Sequence, residues 1–403
     1  MNSKKKIVLL TLGQPSTNPR MLKEAETLLQ QGYQVKVFYA YWTFWSLKTD
    51  KPILEKYPGV FQLVGGDPFE HKITYLASRV IRKSAGLLAR FFPSFSVYAV
   101  DRPCFFLERA ARKEKADLYI GHNLGSLPAA VKAAKKWGTR CGFDAEDYHR
   151  GQFIQQSGSD FQHVTYIEEK YMANCDYLTA AAPLIASAYE RILSLKDIVV
   201  VNNVFSKKFL QHGHNVSARP LRLFWFSQTV GYDRGLEVIV EAINLLPGYD
   251  ITLSLMGDCT EEFRQCLTDM AQRKTILHFL PPVSPDEIFT IASTYDIGLA
   301  AEIPSSDNRN FCLTNKLFTY LLAGNCILAS DTEGQRQFLE KNPGIGWTYR
   351  QNDPKDLASR VAVLYNDPAL LQRCRQRSRT LASDRYNWEF EEKIFLEQVI
   401  SVL

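Results

Sequence analysis

Residues 221–235 read Leu221-Arg222-Leu223-Phe224-Trp225-Phe226-Ser227-Gln228-Thr229-Val230-Gly231-Tyr232-Asp233-Arg234-Gly235. The opening 221–226 run is rich in bulky apolar and aromatic residues and reads as a strand. A polar, glycine-bearing turn follows, and an amphipathic helical run begins after it. The amides around Gly231 and Gly235, the positive end of the helix and the Arg234 guanidinium suit a diphosphate. The segment lacks the Gly-Lys-Ser/Thr ending of a P-loop.

Working outward, this strand–turn–helix unit recurs. Toward the carboxyl end, strands are expected at 251–256, 276–280, 297–300, 327–329 and 346–349, with helices between and helical segments at 354–366, 368–383 and 388–402. Toward the amino end, the strands are 7–12, 34–39, 117–121, 140–144, 177–181 and 198–201. A helix covers 20–31, and an irregular stretch follows residue 39. Alternating β and α argues for a parallel sheet with helices on both faces. The pattern stops near residue 206, passes a polar stretch at 212–220 and starts again. The fold expected is therefore α/β, two tandem Rossmann-like doubly wound domains. The domains run 1–205 and 206–383, and 384–403 is a terminal helical segment. Ligands of such sheets bind beyond the carboxyl ends of the strands. Two sheets facing each other would make a cleft there.

Composition fits two domains and narrows the function. The chain has 403 residues, too many for one core, and 46% hydrophobic against 23% charged residues is a globular balance. With 48 Lys and Arg against 43 Asp and Glu, the formal charge of +5 leaves no dense basic stripe, so nucleic acid is not an expected partner. The excess suits anionic substrates or an anionic membrane. Eight scattered cysteines show no Cys-x-x-Cys and no zinc spacing, so reduced core thiols in a cytoplasmic protein are expected. The start Met1-Asn2-Ser3-Lys4-Lys5-Lys6 precedes an apolar run that ends at Gly13-Gln14-Pro15. That run is too short for a signal peptide and reads as a buried strand. No stretch approaches the length of a membrane span.

Several residues stand where a parallel sheet presents its ligands. Gly13 follows the first strand and permits close backbone approach, although a plain turn explains it equally. His122 follows the 117–121 strand, where it can bond a sugar hydroxyl or share in proton transfer, or be a structural histidine. Asp144 and Glu146 follow the next strand and suit a polyhydroxyl acceptor. Metal binding there is a weak signal, and a solvated loop remains open. Lys316 stands near the start of a helix and can join Arg234 in an electropositive pocket, or be merely solvated.

Taken together, these segments resemble the retaining GT-B glycosyltransferases of family GT4 over nearly the whole chain. The matching pieces are the Gly13 turn, Gly121-His122-Asn123, Asp144-Ala145-Glu146, Arg234-Gly235, Met256-Gly257-Asp258, and the run from Lys316 to Gly324. The resemblance implies a nucleotide-sugar donor held mainly by the second domain, an acceptor held mainly by the first, and neither metal nor other cofactor. It implies His122, Arg234 and Lys316 as catalytic residues. Gly13, Ser227, Gln228, Gly235, Asp258, Leu280, Thr314, Asn315 and Thr319 are implied around the donor, and Asn18, Arg20, Asp144 and Glu146 around a glycan or lipid-linked acceptor. It also implies that the last helix returns to the first domain. The chain departs from the family in two places. Gln228 stands six residues before Arg234, and the family's Glu-x7-Glu pattern reads Phe311 and Thr319. A nucleotide-sugar 2-epimerase of the same architecture and a non-catalytic binding protein are the alternatives.

Residues 72–92 read as a helix with two faces. At about 100° per residue, Ile73, Leu76, Ala77, Val80, Leu87, Leu88 and Phe91 share a side, and Lys72, Arg79, Lys83 and Arg90 form a stripe beside it. Two roles are open. One is a domain helix with its apolar side in the core. The other is an interfacial helix on anionic lipid, which would make the protein peripheral on the inner face of the cell membrane.

Overall fold

The computed structural model describes residues 4–211, 220–273 and 276–403. The polar stretch expected at 212–220 lies outside these residues apart from Pro220, and so do Met1, Asn2 and Ser3. The chain divides into two compact units, Met1–Val201 with Glu392–Leu403, and Asn202–Glu391.

The first unit is built on β1 (Lys6–Thr11), β2 (Gln34–Ala40), β3 (Phe61–Val64), β4 (Leu118–His122), β5 (Arg140–Ala145), β6 (Tyr177–Ala180) and β7 (Val199–Val200). They pair in parallel in the order β3-β2-β1-β4-β5-β6-β7. Parallel neighbours need long crossovers, and helices supply them. The helix Pro19–Gln30 starts where Asn18 accepts a hydrogen bond from the Met21 amide and Pro19 fixes the first turn. It buries Met21, Ala25 and Leu28. The stretch after residue 39, expected to be irregular, contains β3. This edge strand has four residues, of which only Val64 is buried, so it shows little apolar pattern. Glycines at positive φ on both sides, Gly59 and Gly65-Gly66, frame it.

The second unit carries β8 (Leu221–Val230), β9 (Ile251–Cys259), β10 (Leu277–Leu280), β11 (Ile297–Ala300), β12 (Cys326–Ser330) and β13 (Gly346–Tyr349), ordered β10-β9-β8-β11-β12-β13. All pairs are again parallel. The helix Leu236–Asn244 packs Leu236, Ile239, Val240 and Ile243 into the core, the three-four spacing of an amphipathic helix. β8 is longer than its apolar run suggests because a bulge between Phe226 and Thr229 lets it re-pair with Asp258 and Cys259. Gly257 makes that possible. Its φ is 145°, and a Cβ there would lie 2.3 Å from the Ser227 carbonyl oxygen.

The Lys72–Ala89 helix belongs to the first unit and packs against the order its composition suggests. Its buried residues are Ser78, Ala85 and Ala89. Arg102 pins that small face: its guanidinium donates to Ser78 Oγ (2.8 Å) and to the carbonyls of Gly65 and Tyr41. The apolar stripe points to solvent, with Ile73 86% and Phe91 78% exposed. The core-helix reading of residues 72–92 is therefore corrected. No helix among the described residues is long and apolar enough to cross a membrane.

Candidate active site

In each sheet one strand has neighbours on both sides that come from opposite directions along the chain, and there the loops diverge to leave a crevice. In the first unit this point lies between β1 and β4, where Thr11 is in register with His122. Asn123, at φ 67°, turns its side chain back to accept from Thr11 Oγ1 (2.9 Å) and the Leu12 amide (3.3 Å). Gly13 then makes a tight turn, its amide donating to Thr11 Oγ1 at 3.2 Å.

The charged residues here are turned inward. Arg20 is buried and donates to both oxygens of Asp144, at 2.6 Å from Nη2 to Oδ1, and to the Val201 carbonyl. Thr179 Oγ1 donates to the same Asp144 Oδ1 at 2.6 Å. His122 is fully buried among three carboxylates. Nε2 lies 3.2 Å from Glu24 Oε2, and Nδ1 lies 3.3 Å from Glu146 Oε1 and 3.6 Å from Asp144 Oδ2. Burial alone would push the imidazole down. The Glu24 charge and the bonds to Asp144, Glu146 and Glu24 hold it well above its usual range. Burial would raise the Asp144 carboxyl, but the Arg20 charge and the bond from His122 bring it to about 2.

This arrangement sets the surroundings of four expected site residues. Arg20 and Asp144 bond each other out of contact with solvent. Asn18 is a buried helix cap whose Nδ2 donates to Glu146 Oε1 at 2.8 Å. His122 has a carboxylate beside each nitrogen and no exposed surface. It positions Glu146, the one partly exposed carboxylate of the group. Sequence reading missed Glu24 entirely. It lies one helical turn after Arg20, and that spacing was the available signal. Glu24, His122 and Asp144 are close enough to share one cation, but Arg20 already occupies both Asp144 oxygens, so the donor set fits an ion-pair network better than a metal.

The second unit presents the opposite situation. Its switch point lies between β8 and β11, which pair in parallel at Leu223 with Ile297 and Phe224 with Gly298. Gly235 caps the Leu236–Asn244 helix at φ 73°, and a Cβ placed on it would lie 3.8 Å from Ala301 Cβ. The β8 turn and the end of β11 therefore meet. Arg234, half-buried in that turn, has no hydrogen-bond or ion-pair partner among the described residues. Glu302 follows β11, its backbone fixed by Ser330 Oγ, which accepts from its amide at 2.9 Å and donates to its carbonyl at 2.8 Å. Lys316 Nζ reaches Glu302 Oε1 at 2.6 Å and lies 5.3 Å from the Trp225 ring centre of β8. Glu302 was missed in the sequence, although it stands two residues beyond an apolar strand, where a parallel sheet places its ligands.

Around this point the structure sets Ser227, Gly235, Leu280 and Thr314 half-buried and Gln228, Asp258 and Asn315 exposed at strand or helix ends. Thr319 is different. It is 1% exposed within the Asn315–Ala323 helix, whose residues 316–323 are all buried.

Comparison with known proteins agrees with this geometry. Residues 234–391 match the family model described as glycosyl transferase-like. The fold of the whole chain is that of GT-B glycosyltransferases. HepE of Anabaena, in complex with UDP, shares 14% identity with a TM-score of 0.70, covering 98% of this chain and 100% of its own. Sucrose-phosphate synthase of Thermosynechococcus elongatus is 13% identical with a TM-score of 0.70, covering 99% and 100%. The lipopolysaccharide outer core galactosyltransferase WaaB, in its apo form, is 14% identical with a TM-score of 0.65, covering 99% and 100%. No curated protein sequence matches the chain.

Proposed function

We propose that this protein is a retaining glycosyltransferase that moves a sugar from a nucleoside-diphosphate sugar onto a glycan carried by a lipid. The observation that carries the reading is Arg234, without a partner among the described residues, beside the Gly235 helix start, at the β8–β11 switch point and within the glycosyl transferase-like segment. The UDP bound to HepE supports a nucleoside diphosphate as the ligand of this point.

The chemistry follows from the charges. Departure of the diphosphate builds negative charge on the leaving oxygen, and Arg234, Lys316 and the amides at the helix start are placed to stabilise it. Lys316 is held by Glu302, so the donor's diphosphate competes for that ammonium. Glu302 supplies a carboxylate beside the site, although the family's two glutamates read Phe311 and Thr319. It is suited to orient the sugar hydroxyls.

Acceptor recognition falls to the first unit. Its solvent-facing apolar stripe on the Lys72–Ala89 helix lies beside Lys72, Arg79, Lys83 and Arg90, all exposed. Trp42, Phe44, Trp45 and Phe69 add exposed aromatic surface, the residue types that settle at a membrane interface. Phe69 packs on Tyr41 and Phe44 at ring distances of 5.9 and 5.7 Å, and Gln14 holds the loop by accepting from the Trp42 and Thr43 amides. WaaB, named for lipopolysaccharide, supports an acceptor of this kind. A thermal-shift screen of nucleotide sugars, followed by donor hydrolysis without acceptor, tests the reading. A stabilising donor that the protein slowly hydrolyses supports it. No stabilisation by any nucleoside diphosphate contradicts it.

A further inference from the structure

A cavity of 980 Å³ opens between the Lys72–Ala89 helix, the 41–42 loop, residues 99–103 and the start of the Ser159–Tyr171 helix. We infer that this cavity seats the phosphate ester at the head of a single-chain lipid acceptor, with the hydrocarbon chain running out along the apolar stripe. The inference rests on the lipid-linked acceptor proposed above and names the place that would recognise it.

The helix is oriented for this role. At about 100° per residue, Ser78, Ala85 and Ala89 centre on one direction, and Leu76, Val80 and Leu87 fall roughly opposite. Arg79, Lys83 and Arg90 occupy the narrow sector between, and they line the cavity together with Leu76, Val80 and Leu87 of the stripe. These three cations have no partner among the described residues. An ordinary solvated basic face would not have an unburied apolar stripe along its edge, since water-exposed leucine and valine gain nothing from being there.

The cavity is chemically two-sided. Leu76, Val80, Leu87, Tyr41, Trp42 and Tyr75 give it an apolar wall. Against that wall stand five cationic side chains, the three above with Arg82 and Arg102, and two carboxylates, Asp101 and Asp160. Arg82 and Arg102 are partly committed, since Arg82 Nε donates to the Ala99 carbonyl at 3.1 Å and Arg102 to three other oxygens. Asp101 answers to those two arginines. The surplus charge is therefore that of Arg79, Lys83 and Arg90, which suits a phosphate or diphosphate ester. Leu12 also lines the cavity and is tied to Asn123, so the cavity reaches the carboxyl end of β1. A sugar on the lipid's phosphate would thus sit at the ligand-binding end of the sheet.

Calorimetry on the full chain with decyl phosphate below its micelle concentration is the test, with decanol and inorganic phosphate as controls. The comparison protein carries Arg79→Gln, Lys83→Gln and Arg90→Gln together, all exposed positions whose change should leave folding intact. Saturable binding of one decyl phosphate is expected, weakened at least tenfold in the triple variant, with each control at least tenfold weaker than decyl phosphate. Equal affinity in the variant, or decyl phosphate binding no better than inorganic phosphate, overturns the proposal. Sedimentation with vesicles of phosphatidylglycerol in phosphatidylcholine separates the bulk-lipid alternative. If the variant loses vesicle binding but keeps decyl phosphate, the stripe serves the membrane alone and the cavity is not the site. UDP binding is measured on the same samples. Its retention when decyl phosphate fails to bind removes the cavity proposal and leaves the glycosyltransferase reading in place.

Discussion

The two sheets place charged residues at equivalent points and use them in opposite ways. Beyond β1 and β4, Arg20, Glu24, His122, Asp144 and Glu146 neutralise one another, and four of the five are buried. Beyond β8 and β11, Arg234 has no partner among the described residues and Lys316 has one carboxylate partner among them. A buried ion pair closed by hydrogen bonds gives shape and rigidity rather than affinity, and removing one partner leaves a charge stranded. A half-exposed arginine at a helix start has its valences open to a ligand. Position at the end of a parallel strand thus marks both groups alike, while the number of partners each charge already has separates them.

The largest expected effect breaks the closed side. Asp144→Ala leaves the Arg20 guanidinium buried without its carboxylate and should cost about 3–5 kcal/mol of folding stability, read as a lowered urea midpoint. A loss under 1 kcal/mol would show that the network is not structural. The open side should respond in binding instead. Arg234→Ala should weaken nucleoside-diphosphate binding by about 2 kcal/mol or more while leaving stability within about 0.5 kcal/mol. A stability loss with unchanged affinity would place Arg234 among the structural residues. Gly257→Ala is intermediate, since it forces a Cβ into the Ser227 carbonyl at a φ that disfavours side chains. It should cost about 1–3 kcal/mol, measurable by thermal unfolding.

A pH series sharpens the comparison with smaller effects. Asp144 has a folded value of about 2 against an ordinary 3.8. Its contribution is present above pH 3.8 and is lost as the pH falls through 2. His122 works the other way. Its folded value lies well above 6.5, so its contribution is complete below pH 6.5 and is lost as the pH rises through the folded value. Stability should therefore decline at both ends, and Asp144→Asn should flatten the acid limb. If Asp144→Asn keeps the wild-type acid limb, the assignment to Asp144 is wrong.

The sequence shows the alternation of strands and helices clearly, because a parallel strand is buried on both faces and reads as an unbroken apolar run. β1, β8 and the Leu236–Asn244 helix are legible for that reason, and β3 is not, being short and mostly solvent-facing. The candidate site was legible by position only. Arg234 and Lys316 could be picked out because they follow strands or start helices. That Arg20 and Asp144 lock together across 124 residues is a tertiary fact with no local signal. The Lys72–Ala89 helix teaches the same lesson in reverse. Its periodicity was visible, but which face the core takes depended on Arg102 and on the small residues Ser78, Ala85 and Ala89.

The central claim is that the second unit's open switch point binds the nucleotide of the donor. Amide hydrogen exchange of the full chain, with and without UDP, tests it most directly. New protection is predicted at residues 231–236 and around Glu302 and Lys316, with the amides of β1 and β4 unchanged because they are already closed. Bound UDP that leaves 231–236 and 302–316 unprotected would contradict the account.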